Sequence, residues 1–247
     1  MKNEADWKPS KYVYRRGRLS ASRDTREVGL ASRLGVDLIA SCYQRHLPAH
    51  VRGRLLDLGC GKVPLYASYR DLVAQCVCVD WANTSHKNGH LDHECDLTEA
   101  LPFASSAFDT IILSDVLEHI PTPEQLCAEI ARCLSVNGKL IMNVPFYYWL
   151  HEEPHDFYRY TEFALRRFME RAGLELVLLE STGGTSEILA DILAKNLVHV
   201  PVVGRALASV LQTIALWFVG TRPGSKVTQA TKKKFPFGYF LVAVKLG

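Results

Sequence analysis

The chain has 247 residues, 48% hydrophobic and 22% charged, with a formal net charge of +3. This profile excludes a disordered chain and fits one large α/β domain, and the charge is too small to argue for nucleic acid as a partner. Seven cysteines form no CxxC pair and several lie in apolar runs, as buried free thiols do in a reducing compartment. The polar N-terminus lacks the apolar stretch of a signal peptide, so the expected location is the cytoplasm.

Residues 1–25, with Tyr12, Tyr14, Arg15, Arg16 and Arg18, read as an arm without a core of its own. From Arg26 to His46 the positions Val28, Leu30, Leu34, Leu38 and Ile39 recur with helical spacing. Short apolar runs then alternate with helices. Strands are predicted at Arg54–Leu58, Cys76–Asp80, Leu91–Leu97, Phe108–Ser114, Lys139–Val144, Leu174–Glu180 and Gly238–Val244. Helices are predicted over Val63–Val73, over Glu124–Leu134 with Asn137-Gly138 as its stop, and over Thr161–Ala172 closed by Gly173. Continuous apolar strands separated by helices imply a doubly wound, mostly parallel α/β sheet of seven strands, covered on both faces. The long insertion before the last run suits an antiparallel final strand. The organisation is one domain: an N-terminal arm and helix (1–50), a core with a glycine-rich turn (51–184), a helical insertion (185–235) and the last core strand (236–247).

Leu55-Leu56-Asp57-Leu58-Gly59-Cys60-Gly61-Lys62 lies where the first strand turns into the first helix. Glycines there let backbone approach a ligand closely. Asp80 ends the second strand about 20 residues later, where a carboxylate can accept hydrogen bonds from both ribose hydroxyls. Asp96-Leu97 and Ser114-Asp115-Val116-Leu117-Glu118-His119 end the third and fourth strands. All four features fall at carboxyl ends of strands, where doubly wound sheets bind ligands.

With these motifs the sequence resembles a class I methyltransferase dependent on S-adenosylmethionine (SAM), of the broad ubiquinone/menaquinone-biosynthesis type. DLGCG resembles that group's first motif, VDWA its acidic second, LPFASSAFDTIILSDVLEHI its fourth-strand region and NGKLIMNVP its fifth. GCGKVPLY and PHDFYRYT further resemble a bacterial subgroup. The resemblance implies a Rossmann-like fold with SAM as cofactor. It places Asp57, Gly59 and Gly61 by the methionine moiety, Asp80 by the ribose, Asp96 and Leu97 by the adenine, and Ser114 on the floor near the methyl, with Cys60 and Trp81 as further cofactor contacts. The usual third glycine is missing, and Val63-Pro64 follow Lys62; a dinucleotide needs closer backbone approach there, so the departure favours SAM over NAD. His119 is expected to pack or hydrogen-bond behind the cofactor loop rather than take protons.

Residues 145–161 carry a dense run of aromatic and titratable groups. Loops at this sheet edge hold the acceptor in such folds. Tyr147, Trp149, Tyr158 and Arg159 are candidate acceptor contacts; Arg159 alternatively pairs with Asp156. His151 and then His155 are the candidate bases for a hydroxyl acceptor, with Asp156 orienting a histidine. His151-Glu152-Glu153-Pro154-His155 matches the HExxH pattern formally, but Pro154 disfavours the helix that pattern requires. No metal is assigned; a divalent ion on His151, His155 and Asp156 is the minority alternative. The insertion carries two amphipathic helices, Ser186–His199 and Ala206–Val219, and a basic run through Arg222, Lys226, Lys232, Lys233 and Lys234. It is expected to form a helical cap or a homodimer contact, the alternative being a membrane surface or a lipid-linked substrate. The expected activity is O-methylation of a sugar, glycolipid or secondary metabolite, against N- or C-methylation or a non-catalytic SAM- or nucleotide-binding module.

Overall fold

The computed structural model describes residues 1–82 and 89–247. The N-terminal segment is not the coreless arm expected: Tyr12–Arg15 (β1) and Arg18–Ala21 (β2) form an antiparallel hairpin. Arg16 and Gly17 turn it with φ of 50° and 76°, the two-residue geometry that matches strand twist. Tyr12, Leu19 and Ala21 are buried. The strands are short, and exposed Tyr14, Arg15 and Arg18 break the alternation.

By compactness the chain divides into two units: Met1–Pro9, His46–Glu180 and Tyr239–Gly247 form one, Ser10–Arg45 and Ser181–Gly238 the other. Helix α1 spans Arg33–His50. The first unit is built on β3 (Arg54–Leu58), α2 (Tyr66–Tyr69), β4 (Gln75–Asp80), β5 (His93–Glu94) and β6 (Phe108–Ser114). Then come α3 (Pro123–Cys133), β7 (Leu134–Pro145), α4 (Glu162–Arg171), β8 (Leu174–Thr182) and β9 (Gly238–Lys245). Among the described residues the main sheet has seven strands in the order β5-β4-β3-β6-β7-β9-β8 and is mostly parallel. The last strand of the chain is not at the edge but between β7 and β8. Leu55, Leu56, Ile111, Ile112, Leu140 and Ile141 are fully buried, as strands covered on both faces require. From β3 the chain first winds to β4 and later returns to β6 on the other side, so the crevice at the switch point opens at the carboxyl ends of these strands.

Three predicted elements differ. The helix expected over Val63–Val73 reduces to α2 and one 3-10 turn, Arg70–Leu72, because Val63 is buried in the left-handed region (φ 51°) and Pro64 follows. The third strand spans only His93–Glu94. Helix α3 ends at Cys133, and Asn137-Gly138 is not its stop; the pair lies inside β7, where Leu134 faces Phe108 but Lys139 already faces Thr110, so the residues between them bulge.

In the second unit lie α5 (Thr185–Leu197), α6 (Gly204–Val219) and α7 (Arg222–Thr231). Helix α7 takes in Arg222 and Lys226 of the basic run: Thr221 Oγ1 caps it by accepting from Gly224 N at 3.2 Å, with Pro223 in its first turn. Gln212, the polar interruption of α6, is buried and ties this unit together, accepting from Leu34 N at 2.8 Å and donating to Ala31 O at 2.9 Å. No helix among the described residues is long and apolar enough to cross a membrane.

Candidate active site

The turn after β3 is shaped by its glycines and by Asp80. Gly59 has φ 67°, and a Cβ there would stand 2.5 Å from Val116 Cγ2, so only glycine lets this turn lie against the turn after β6. Gly59 N and Cys60 N donate to Val79 O at 2.8 and 3.1 Å. Asp80, buried at the end of β4, accepts from Gly61 N through Oδ2 (2.9 Å) and from Trp81 N through Oδ1 (2.8 Å). Its carboxylate thereby fixes the glycine turn before any ligand arrives. Asp96 follows β5 and makes a local turn, with Oδ1 accepting from Thr98 N (2.8 Å) and Thr98 Oγ1 (2.7 Å), while Leu97 beside it is buried. Ser114, the last residue of β6, faces Asn143 of β7 in register.

The turn after β6 and the loop after β7 form a second cluster. Asp115 has φ 53°, accepts from the Asn143 side-chain amide and donates its N–H to Asn143 O at 2.9 Å. A single 3-10 turn, Leu117–His119, follows. Main-chain bonds lash the later loop onto it: Phe157 N and Tyr158 N donate to Glu118 O at 2.9 and 3.3 Å. Tyr160 Oη donates to Leu117 O (2.9 Å) and Tyr158 Oη to Pro121 O (3.0 Å). Glu118 is fully buried, and its Oε1 lies 3.8 Å from His119 Nε2 and 4.0 Å from His151 Nε2. The rings of His119 and His151 meet edge to face, with centroids 4.7 Å apart.

Beside this fold and site stand likenesses to known proteins. Residues 56–142 match a methyltransferase domain family. Ubiquinone biosynthesis O-methyltransferase from Burkholderia pseudomallei is 29% identical over 157 residues, 52% of this chain and 68% of that protein. A putative methyltransferase from Bacillus halodurans shares the fold at 14% identity, with a TM-score of 0.54 over 85% of this chain and 99% of that one. Haemonchus contortus phosphoethanolamine N-methyltransferase 2, solved in complex with SAM, shares it at 17% identity, with a TM-score of 0.51 over 84% of this chain and 52% of that one. These likenesses identify a SAM-dependent methyltransferase domain in the chain, within the fold that class I methyltransferases share.

In this methyltransferase the residues expected at the cofactor (Asp57, Gly59, Cys60, Gly61, Asp80, Trp81, Asp96, Leu97 and Ser114) all lie at or just beyond the carboxyl ends of β3, β4, β5 and β6. Asp57 is distinct in being fully enclosed, with Oδ2 accepting from Tyr69 Oη at 2.9 Å. Burial raises its carboxyl to about 7 against the pull of the Tyr69 hydrogen bond, and Asp80 adds to the rise.

On the acceptor side the expected histidines part company. His151 is held by Asp156, whose Oδ2 accepts from His151 N at 3.0 Å and stands 3.3 Å from His151 Nδ1. Burial, and then His119, push His151 below its ordinary value. His155 is exposed; its ring packs edge to face on Trp81 at 5.2 Å, and its carbonyl faces His119 Nδ1 at 3.1 Å. Residues 151–155 are not helical, so the HExxH geometry is absent. Arg159 forms the pair with Asp156, through Nη1 at 2.6 Å and Nη2 at 2.7 Å, and also donates to Trp149 O at 3.0 Å. Burial would raise the Asp156 carboxyl, but Arg159 and His151 hold it at about 2. Tyr147, Trp149 and Tyr158 are exposed in the loop. His119 packs on His151 and hydrogen-bonds, as expected, but sequence reasoning does not anticipate that it and Glu118 cluster with His151. The available signal is an acid and a histidine side by side just past a strand end.

Proposed function

We propose that this methyltransferase moves the SAM methyl group to an oxygen of a small acceptor held between the turn after β6 and the loop 146–160. The observation that carries the reading is the cluster of Glu118, His119 and His151 one strand along from the glycine turn, with Val116 in contact range of Gly59. Methyl transfer is an in-line displacement at a sulfonium, so most of the protein's work is orientation. The attacking oxygen forms the new bond to carbon, and the carbon–sulfur pair stays on sulfur as the thioether product forms. A neutral amine attacks unaided, but a hydroxyl must lose its proton, and a buried acid with two imidazoles is what a hydroxyl acceptor needs. The name of the Burkholderia relative points to oxygen as well.

In this reading Asp57, Gly59, Cys60 and Gly61 face the methionine moiety, Asp80 and Trp81 the ribose, Asp96 and Leu97 the adenine, and Ser114 the methyl. Tyr147, Trp149 and Tyr158 supply aromatic acceptor contacts, and activation of the acceptor depends on His151. Arg159, engaged by Asp156, positions His151 rather than binding the acceptor. The test is transfer of labelled methyl from SAM to a panel of phenols, sugars and amines. Hydroxyl acceptors should be methylated, and His151→Ala should lower turnover by about 10²–10⁴-fold with SAM affinity held. Transfer to amines alone, indifferent to His151, would overturn it.

A further inference from the structure

We infer that Glu118, His119 and His151 form a site for one divalent first-row transition-metal ion, which receives the acceptor oxygen. The inference rests on the O-methylation reading for its purpose and on geometry for its existence. The three side chains each present one ligand atom, and these atoms lie within 4.8 Å of one another. Both imidazoles are set in the same sense. His119 Nδ1 faces the His155 carbonyl at 3.1 Å, and His151 Nδ1 faces Trp149 O and Asp156 Oδ2 at 3.3 Å each. Those acceptors put the ring proton on Nδ1, so each Nε2 lone pair points inward. Metal-ligating histidines are held in this way, with the far ring nitrogen donating to a carbonyl or carboxylate.

The inward atoms are therefore two imidazole nitrogens and the oxygen of a buried carboxylate. At 3.8 and 4.0 Å, Glu118 Oε1 stands beyond hydrogen-bond reach of both Nε2 atoms, so a shared proton does not bridge them. Metal–nitrogen and metal–oxygen bonds of about 2.0–2.2 Å set ligand atoms of one ion roughly 3.3–4.2 Å apart, a range that holds the two distances from Glu118 to the imidazoles, 3.8 and 4.0 Å. Two imidazoles and one carboxylate suit zinc, iron, cobalt or manganese rather than calcium or magnesium, and leave positions open. Asp115 also acts electrostatically on His151, adding negative charge around the centre. This trio differs from His151, His155 and Asp156, which the structure does not gather, since Arg159 occupies Asp156 and His155 lies on Trp81.

An acceptor hydroxyl bound to such an ion loses its proton to solvent water more readily. The oxygen then attacks the methyl carbon, and the sulfur keeps the bonding pair. The dependence of turnover on His151 becomes the loss of a ligand.

The test is calorimetric titration of the chelator-treated full chain with zinc and with manganese, alongside SAM as a folding control. One ion per chain should bind with micromolar affinity or tighter. Glu118→Gln and His119→Asn should each weaken it at least tenfold while SAM still binds. Because Glu118 is buried and its replacement can unfold the turn, the cobalt-loaded wild type provides a second measurement: its visible absorption should report nitrogen ligation and shift on adding a hydroxyl acceptor. No stoichiometric ion in protein that binds SAM, or binding indifferent to both variants, would overturn the site. Methylation of hydroxyl acceptors that persists in chelator would sink the metal and leave O-methylation standing. Ion binding without transfer to any hydroxyl would do the reverse.

Discussion

Replacing Asp57 by asparagine should make the protein more stable at alkaline pH and change how its stability depends on pH. The carboxyl is enclosed and titrates at about 7, against 3.8 for a free aspartate. The folded chain thus holds a proton that the unfolded chain releases. For a raised acid, stability is complete below the unfolded value and falls as pH climbs through the interval to about 7, then stays level. The gap between those two values corresponds to about 4 kcal/mol, of which about 3 kcal/mol is lost between pH 4.5 and pH 8. An asparagine side chain at this position would still offer an oxygen to Tyr69 Oη but carries no charge to bury. The Asp57→Asn variant should therefore gain about 3 kcal/mol on the wild type between those two pH values, as other titrating groups cancel in the comparison. Urea unfolding without SAM at pH 4.5 and 8 measures the gap. Parallel pH profiles would show that Asp57 ionises freely in the fold and would refute the argument.

Three further outcomes can be checked. Asp80→Ala removes the acceptor for Gly61 N and Trp81 N as well as the proposed ribose contact; SAM affinity by calorimetry should fall by about 1.5–3 kcal/mol, and unchanged affinity would remove Asp80 from the site. Gly59→Ala forces a Cβ into Val116 at φ 67°; SAM binding and turnover should both fall, with partial recovery in the Val116→Ala double variant, and full activity of the single variant would contradict the packing. Arg159→Gln strips the guanidinium from a carboxyl that it helps hold at about 2. For a depressed acid the stability is present above the unfolded value and lost on acidification, so the variant should be weaker by about 2 kcal/mol at pH 7 and nearly equal at pH 2, read by thermal unfolding.

The strands and the glycine turn after β3 were legible because both depend on local pattern. Leu55-Leu56 and Ile111-Ile112 are continuous apolar runs, and a glycine pair with an aspartate one strand later needs no knowledge of distant residues. The hairpin at Tyr12–Ala21 was not legible: in strands of four residues only Tyr12, Leu19 and Ala21 are buried, too few for a period. Helix α7 was masked by the basic residues in and just after it, although Thr221 followed by Pro223 is a start signal. A basic run suggests solvent, and that outweighed the cap. The partners of His119 were hidden for a different reason. Its neighbours in space are His151 and the His155 carbonyl, more than thirty positions away, and nothing in the local spacing announces them.

That separation also explains how the acceptor half is held. Glu118 turns inward as a buried acid only because its own carbonyl is engaged by Phe157 N and Tyr158 N, and the carbonyls around it by Tyr160 and Tyr158 hydroxyls. Asp156, clamped by Arg159, then fixes His151 from the other end of the same loop. The cofactor turn requires little of this, since Asp80 and Val79 hold it from the adjacent strand. The two halves therefore differ in how they respond to damage. Loosening the loop at Arg159 or Tyr160 should disperse Glu118, His119 and His151 together while leaving the glycine turn in place, so under the proposed function SAM binding and acceptor activation should be separable by such variants. They touch at Val116 against Gly59, and through that contact the occupied cofactor turn can bear on the position of Glu118 two residues further on.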